Sequence, residues 1–172
     1  MIHFRLQRHL SPVGEMLLVS DDEGRLRALD FGDYESRLHR LLRLHYRHYV
    51  LDDLPVPIGI VQRLSAYFGG ELSAIDDIPV ATEGTAFQRA VWSALRSIPV
   101  SSTTTYGALA KVVGRPGASR AVGLANGANP IAIVVPCHRV IGADGNLTGY
   151  GGGLPRKRWL LQHECQHIAL CR

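Results

Sequence analysis

Two prolines, Pro130 and Pro136, bracket five consecutive apolar residues, Ile131 to Val135, and the run ends directly in Cys137 and His138. Five residues fall far short of the roughly 20 that cross a bilayer, so a run of this kind must be buried inside a folded chain. Pro136 fixes its own φ and biases Val135 towards extended geometry, leaving the backbone little freedom as it enters Cys137. A rigid element therefore presents a thiol. Such a thiol is either an inert core cysteine or a held nucleophile. His138 beside it, Asn129 before the run and an acid further along the chain, Glu164, favour the nucleophile.

Length and composition set the frame for that thiol. A chain of 172 residues, 46% of them hydrophobic, can bury a proper core and holds one domain or two small ones. Cys137, Cys165 and Cys171 are an odd number without a paired framework, which fits a reduced, cytoplasmic protein. The N-terminus runs straight into strand-like sequence, with neither a signal peptide nor a long apolar run, so a soluble protein away from the membrane is expected. Charge is divided unevenly. Residues 1–84 carry 9 Arg against 13 acids, a balance of −4, whereas residues 85–172 carry 10 Lys and Arg against Asp144 and Glu164 alone, a balance of +8. A basic half beside an acidic half implies that one half faces a polyanion, unless its charge is simply solvated surface.

In the acidic half, Phe4 to Leu6 and Gly14 to Ser20 read as strands joined by a turn at Ser11-Pro12, and Arg25 to Phe31 alternates polar and apolar as a half-buried strand should. These predict a small antiparallel sheet. Tyr34 to Tyr49 places Leu38, Leu41, Leu42 and His45 at helical spacing and reads as a helix covering the sheet. His45 and His48 lack a third ligand nearby and do not make a metal site. Asp52 to Pro57 reads as a link, Pro57 opens a helix running to about Phe68, and Gly69-Gly70 ends it. Leu72 to Gly84, with Pro79, three acids and no helical period, reads as the linker between halves, with a boundary near residue 80.

The basic half opens on Thr85-Ala86-Phe87-Gln88, a capping box, followed by Phe87, Val91, Leu95 and Ile98 on one helical face, with Trp92 as a core anchor. Thr105 to Gly114 and Ala118 to Gly127 are two short helices around the turn Arg115-Pro116-Gly117, which suggests a helix-turn-helix. On the second helix Ala118, Ala121, Val122 and Ala125 form an apolar side, while Ser119, Gly123, Asn126 and Gly127 form a side with almost no bulk. Two helical glycines cost about 1 kcal/mol each relative to alanine, so something must approach closely. It is either another backbone of the protein or a nucleic-acid backbone, in which case the face suits the narrow minor groove, where sequence is read poorly. Pro155 to Glu164 is a last helix.

Taken together, Asn129-Pro130, the stretch Ile133-Val134-Val135-Pro136-Cys137-His138-Arg139-Val140-Ile141-Gly142, then Gly149-Tyr150-Gly151-Gly152-Gly153, and Lys157 to Glu164 resemble the O6-alkylguanine-DNA alkyltransferases, most closely the bacterial Ogt type. The resemblance runs from about Gly84 to Glu164 without an obvious gap and extends more loosely over the first 80 residues. It implies an α+β chain, with a small ribonuclease H-like α/β domain over residues 1–80. A helix-turn-helix, winged-helix-like DNA-binding and alkyl-transfer domain would follow over residues 81–172. It also implies a catalytic set: Cys137 as acceptor, a relay from Glu164 through His138 and a water to the thiol, Asn129 as a brace, and Tyr106 as the proton source for the departing guanine. Arg139 reads as structural.

For DNA, the resemblance implies that Arg120 fills the gap left by an extruded base and that Ala118, Ser119, Gly123, Asn126 and Gly127 line the contact. Tyr150, Gly151, Gly152, Pro136 and Val140 would form the substrate pocket, with Tyr150 beside the alkyl group. Many relatives have serine where Gly151 stands, so a wider pocket is expected here. No cofactor is implied, and no metal: the zinc site that some members build with N-terminal cysteines has no counterpart in a chain without cysteine before position 137. The expected partner is double-stranded DNA, bound through the minor groove by a monomer, with cooperative assembly on DNA left open. The expected activity is a single transfer of the alkyl from O6-alkylguanine, and from O4-alkylthymine, to Cys137. Read from the residues alone, a cysteine hydrolase using Cys137, His138 and Glu164 remains open, as does a non-catalytic damage sensor.

Overall fold

A short strand register organises the N-terminal part of the computed structural model, which describes residues 1–168. Strands β1 (Ile2–Ser11) and β2 (Gly14–Ser20) form an antiparallel hairpin with Leu6 opposite Val19, and β3 (Leu26–Phe31) adds antiparallel to β2. Asp21 shapes the β2–β3 turn: Oδ1 accepts from the backbone N–H of Glu23 and Arg25, at 3.0 and 2.9 Å, and Oδ2 accepts from Nε of Arg25 and Arg27. Helix α1 (Glu35–Tyr46) lays Leu38, Leu41 and Leu42 against this sheet, where Leu38 and Leu42 meet Phe4, Leu17, Val19 and Ala28. Each such fully buried leucine contributes about 1.5–3 kcal/mol.

The expected all-antiparallel sheet is incomplete. A fourth strand, β4 (Tyr49–Asp53), pairs parallel to β1 with Leu51 opposite Phe4, giving the order β3-β2-β1-β4. The helix expected to reach Tyr49 stops at Tyr46, where Arg47 adopts a positive φ of 52° and turns the chain. Tyr49 and Leu51, two residues apart, then pack on the core cluster. That period of two is too short to stand out beside Asp52 and Asp53. Helix α2 (Ile58–Phe68) follows Pro57 as expected and buries Ile60, Leu64 and Tyr67.

Leu72 to Gly84 is not a bare linker either. Leu72–Asp77 is a 3-10 helix that buries Leu72 and Ile75, Ile78 is buried after it, and Val80 bridges to Leu26. Leu72, Ile75 and Ile78 recur every three residues, the period of a 3-10 turn rather than an α-helix. Met1–Glu83 together with Pro130–Ala132 make one unit, and Gly84–Asn129 together with the described residues from Ile133 make the other. Within the first unit, Leu29 donates to Pro130 O and accepts from Ala132 N, both at 3.0 Å.

The second unit is mainly helical. Helix α3 (Ala86–Arg96) starts at the expected capping box: Gln88 N donates to Thr85 Oγ1 at 3.1 Å, and Thr85 N donates to Gln88 Oε1 at 2.9 Å. Val91, Trp92 and Leu95 are buried, and Trp92 Nε1 donates to Ala125 O at 2.8 Å. Strand β5 (Thr104–Thr105) leads into α4 (Tyr106–Val112), capped by Thr105, and a turn with Gly114 and Gly117 at positive φ joins it to α5 (Ser119–Gly127). Trp92 thus locks α3 to the second helix of the expected pair. Strand β6 (Val140–Ile141) pairs parallel with β5, and α6 (Leu154–Ile168) closes the described chain.

The apolar run before Cys137 is fully buried but is not extended throughout. Ile131 bridges to Leu29, residues 132–134 turn, and Ile133 holds φ at 69°. A β-branched residue in that region stores about 1–3 kcal/mol of strain, and the proline-bracketed pattern carried no sign of it. No helix among the described residues is long and apolar enough to cross a membrane.

Thr85→Ala removes half of the capping box and should lower unfolding stability by about 1 kcal/mol, read from the midpoint of urea denaturation followed by Trp fluorescence.

Candidate active site and nucleic-acid interface

Cys137 begins a 3-10 turn, Cys137–Arg139, and the turn sends two consecutive side chains in the same direction. His138 Nε2 and Glu164 Oε1 on α6 are 2.7 Å apart, and Arg139 reaches the same carboxylate through Nε at 3.0 and 3.3 Å and Nη2 at 2.9 Å. Ser101 N also donates to Glu164 Oε2 at 3.4 Å, and Arg139 Nη1 donates to Ile98 O at 2.8 Å. His138 and Glu164 are 0% exposed and Arg139 is 2% exposed. Cys137 itself is 5% exposed, so its thiol meets solvent only through a narrow opening.

Two amide side chains hold the backbone on either side of the turn. Asn129 Nδ2 donates to Val135 O at 2.8 Å, and Asn126 Nδ2 donates to Cys137 O at 3.4 Å. Asn126 is therefore a buried support of the cysteine rather than part of the open face of α5.

Electrostatics separate the two ionisable members. Burial lowers the pKa of His138, with Glu164 pulling the other way, so the imidazole rests neutral. Burial of Glu164 opposes its ionisation, but its hydrogen bonds to His138 and Arg139, with the charge of Arg139, outweigh this and hold the carboxyl far below the usual carboxylate range. His138 uses Nε2 on the acid. Its buried Nδ1 makes no hydrogen bond to the described residues.

A cleft of about 170 Å³ opens at the thiol, lined by Tyr106, Gly123, Asn126, Gly127, Cys137, Gly149, Tyr150 and Gly151. Larger clefts on the first unit, of about 390 and 500 Å³, hold no cysteine. Of the five residues expected to form a substrate pocket, Tyr150 and Gly151 line the cleft. Pro136, Val140 and Gly152 do not: all three are buried, Pro136 and Val140 because the tight turn at Cys137 folds its flanks into the core.

Lys157 has no place in the site read from the sequence beyond its membership of the last helix. It is 0% exposed, and Nζ donates to Val140 O at 2.6 Å, Thr148 O at 2.8 Å and Gly149 O at 3.2 Å. Burial lowers its pKa, and the nearby Cys137 raises it. The signal was present: Lys157, Leu160 and Glu164 fall at i, i+3 and i+7, on the buried stripe of α6. One carbonyl of strand β6 and two at the start of the glycine-rich segment thus converge on one ammonium.

Helix α5 presents Ser119, Arg120 and Gly127 to solvent, with Ala118 half-buried at its start. A Cβ built on Gly127 would meet nothing within 4 Å, and one on Gly123 would meet only the Tyr106 ring, at 3.7 Å. Among the described residues no backbone atom lies within 4 Å of a Cβ built at either glycine, so close packing there does not account for them. Among the described residues no three His, Cys, Asp or Glu side chains are grouped to hold a metal; Cys165 is exposed, and Cys171 lies outside the described residues.

Fold and site together define a two-unit α+β protein that presents a thiol, beside a buried His–Glu–Arg set, under the open face of a two-helix motif. Comparison with known proteins narrows this class. Residues 9–82 match the ribonuclease-like domain, and residues 86–166 the DNA binding domain, of 6-O-methylguanine DNA methyltransferase. The methylated-DNA-protein-cysteine methyltransferase of Salmonella typhimurium is 51% identical over 166 residues, covering 95% of this chain and 97% of that protein. The protein of the same name from Methanosarcina acetivorans is 46% identical over 90% of this chain and 94% of its own. The crystal structure of Mycobacterium tuberculosis OGT in complex with DNA superposes with a TM-score of 0.78 at 45% identity, covering 96% of this chain and 94% of that one. The chain belongs to the 6-O-methylguanine DNA methyltransferase family.

Glu164→Gln leaves the buried Arg139 guanidinium without its counter-charge and should lower unfolding stability by about 3–5 kcal/mol in thermal or urea denaturation. Both His138 and Glu164 have lowered pKa values in the fold, so the unfolded chain binds more protons than the folded one on acidification. In the parent protein, stability should therefore fall as pH drops below the ordinary histidine value of 6.5, and again below the ordinary glutamate value of 4.5. In Glu164→Gln the second step should flatten.

Proposed function

We propose that Cys137 is the acceptor through which this chain repairs methylated DNA by direct reversal, the methylated-DNA-protein-cysteine methyltransferase activity of its family. The observation that carries the assignment is the thiol at the mouth of a cleft walled by Tyr106, Tyr150 and glycines, directly beside the His138–Glu164 pair. Sulfur attacks the alkyl carbon in line with its bond to guanine O6, and only the thiolate is competent for this. His138, neutral and anchored through Nε2, has Nδ1 to accept the thiol proton by way of a bridging water. Glu164 then stabilises the imidazolium, as the acid does in other nucleophile–base–acid sets. Arg139 balances the carboxylate when the ring is neutral.

Tyr106 supplies a proton to the departing guanine, and Asn129 and Asn126 keep the cysteine turn in place. The product is a thioether with no acidic leaving group, so each molecule acts once. Residues 81–172 carry DNA binding and transfer, and residues 1–80 form the ribonuclease-like domain.

Double-stranded DNA is the partner, a reading supported by the relative solved with DNA. The open face of α5, formed by Ser119, Gly123 and Gly127, enters the minor groove, Arg120 takes the place of the extruded base, and the alkylated base turns into the cleft. The protein binds as a monomer, with cooperative assembly along DNA a further property of the complex. O4-alkylthymine is a second substrate, because the same small cleft and thiol serve either alkylated oxygen. Gly151 adds no side chain to the wall beside Tyr150, which leaves room for alkyl groups larger than methyl.

Peptide mass spectrometry after mixing the protein with a limiting oligonucleotide that contains one O6-methylguanine tests the assignment. One methyl on the Cys137 peptide, at most one per protein, with guanine restored, is expected; Cys137→Ser should bind the oligonucleotide and transfer nothing. An unmodified Cys137 with tight lesion binding would mean a sensor instead, and turnover of esters or amides a hydrolase. A second measurement compares transfer of methyl, ethyl and butyl groups. Gly151→Ser should slow butyl transfer more than methyl transfer, and an equal decline with alkyl size in both proteins would remove the role given to Gly151.

A further inference from the structure

One hydroxyl at the cleft, that of Thr148, has no part in the transfer chemistry as described so far, although it meets Tyr106. Tyr106 Oη donates to the backbone carbonyl of Thr148 at 3.1 Å, and Thr148 Oγ1 donates back to Tyr106 Oη at 3.2 Å. One residue thus occupies the phenol both as donor and as acceptor. The same carbonyl also accepts from Lys157 Nζ at 2.8 Å, and Lys157 is buried and held by two further carbonyls. Tyr106 can therefore turn its O–H away from Thr148 without leaving that carbonyl unsatisfied, because the ammonium remains on it. Meanwhile Thr148 Oγ1 remains a donor aimed at the phenolic oxygen, placed where negative charge develops once the proton has gone.

We infer that Thr148 is a positioning residue for proton transfer from Tyr106: its hydroxyl holds the phenolic oxygen at the cleft and stabilises it while the proton leaves. The inference rests on the reading of Tyr106 as proton donor. As the Cys137 Sγ–carbon bond forms, the carbon–O6 bond breaks and its electron pair passes to guanine. The Tyr106 proton neutralises that charge, and the phenolate then recovers a proton from solvent. The thiol proton has already left through His138, so one proton leaves the cysteine and one enters the base. Thr148 exchanges none. Its side chain is exposed, so replacing it does not disturb the core.

The test is single-turnover methyl transfer by the full chain from a saturating double-stranded oligonucleotide with one O6-methylguanine, with DNA affinity measured separately. Thr148→Val keeps the shape and the carbonyl but removes the hydroxyl, and should slow transfer about tenfold with affinity unchanged. Thr148→Ser should restore most of the rate. In a Tyr106→Phe background, Thr148→Val should cost nothing more, since the partner oxygen is already gone. A Thr148→Val protein that transfers at the parent rate, or one slowed equally in both backgrounds, overturns the role of Thr148. If Tyr106→Phe is slow while Thr148→Val is not, Thr148 alone is overturned and the donor role of Tyr106 stands. If Tyr106→Phe itself transfers at the parent rate, both fall, while methylation of Cys137 still separates that result from a failure of the alkyl-transfer assignment.

Discussion

The buried carboxylate of Glu164 is the point on which the rest of the site depends. It takes His138 and Arg139 from the turn that begins with Cys137 and a backbone N–H from Ser101, so helix α6 and the cysteine turn are joined through one side chain. A charge with no exposed surface is tolerable only when it is paired and its lone pairs are used, and Arg139 does both. A glutamine of the same shape would keep one acceptor oxygen but leave the Arg139 guanidinium without its counter-charge. Replacing such a set with apolar residues is often neutral or favourable for stability, so its value lies in the geometry it imposes on the thiol.

The cleft is built on the same economy of supports. Lys157 gathers the carbonyls of Val140, Thr148 and Gly149, and Asn129 and Asn126 gather those of Val135 and Cys137. Carbonyls of the cysteine turn, of the end of the short strand β6 and of the glycine-rich loop are thus held by three buried side chains, which helps an irregular segment keep a defined shape. The strain at Ile133 lies in that segment, between the bridge at Ile131 and the carbonyl of Val135 that Asn129 holds. The outer face of α5 is treated oppositely. A Cβ at Gly127 would meet none of the described residues within 4 Å, and one at Gly123 only the ring of Tyr106.

Features governed by neighbours in the chain were legible before the fold was known. The capping box at Thr85, the limits of α2 at Pro57 and Gly69, and the glycine stop after α4 are contacts or dihedral preferences within four residues of each other. The acid for His138 was legible because Glu164 is the one glutamate after residue 84. Parallel β4 was not, since its pairing partner lies 47 residues away and its own apolar signal is only Tyr49 and Leu51. Lys157 was missed for a different reason: a lysine is read as solvated unless its helical register is compared with that of Leu160 and Glu164.

The sequence by itself determined the family, the thiol, the acid and the helices, because a nucleophile with its flanking motif and a helix with its caps are written in local residue order. Tertiary structure decided which polar groups are buried and whom they meet: Arg139 on Glu164, Asn126 on the cysteine carbonyl, Lys157 on three carbonyls, and Thr148 on Tyr106. Those pairings join residues up to 42 positions apart, and their direction depends on backbone turns such as Cys137–Arg139 that no periodicity announces. A buried polar side chain must find a partner, but which partner is a property of the packed chain.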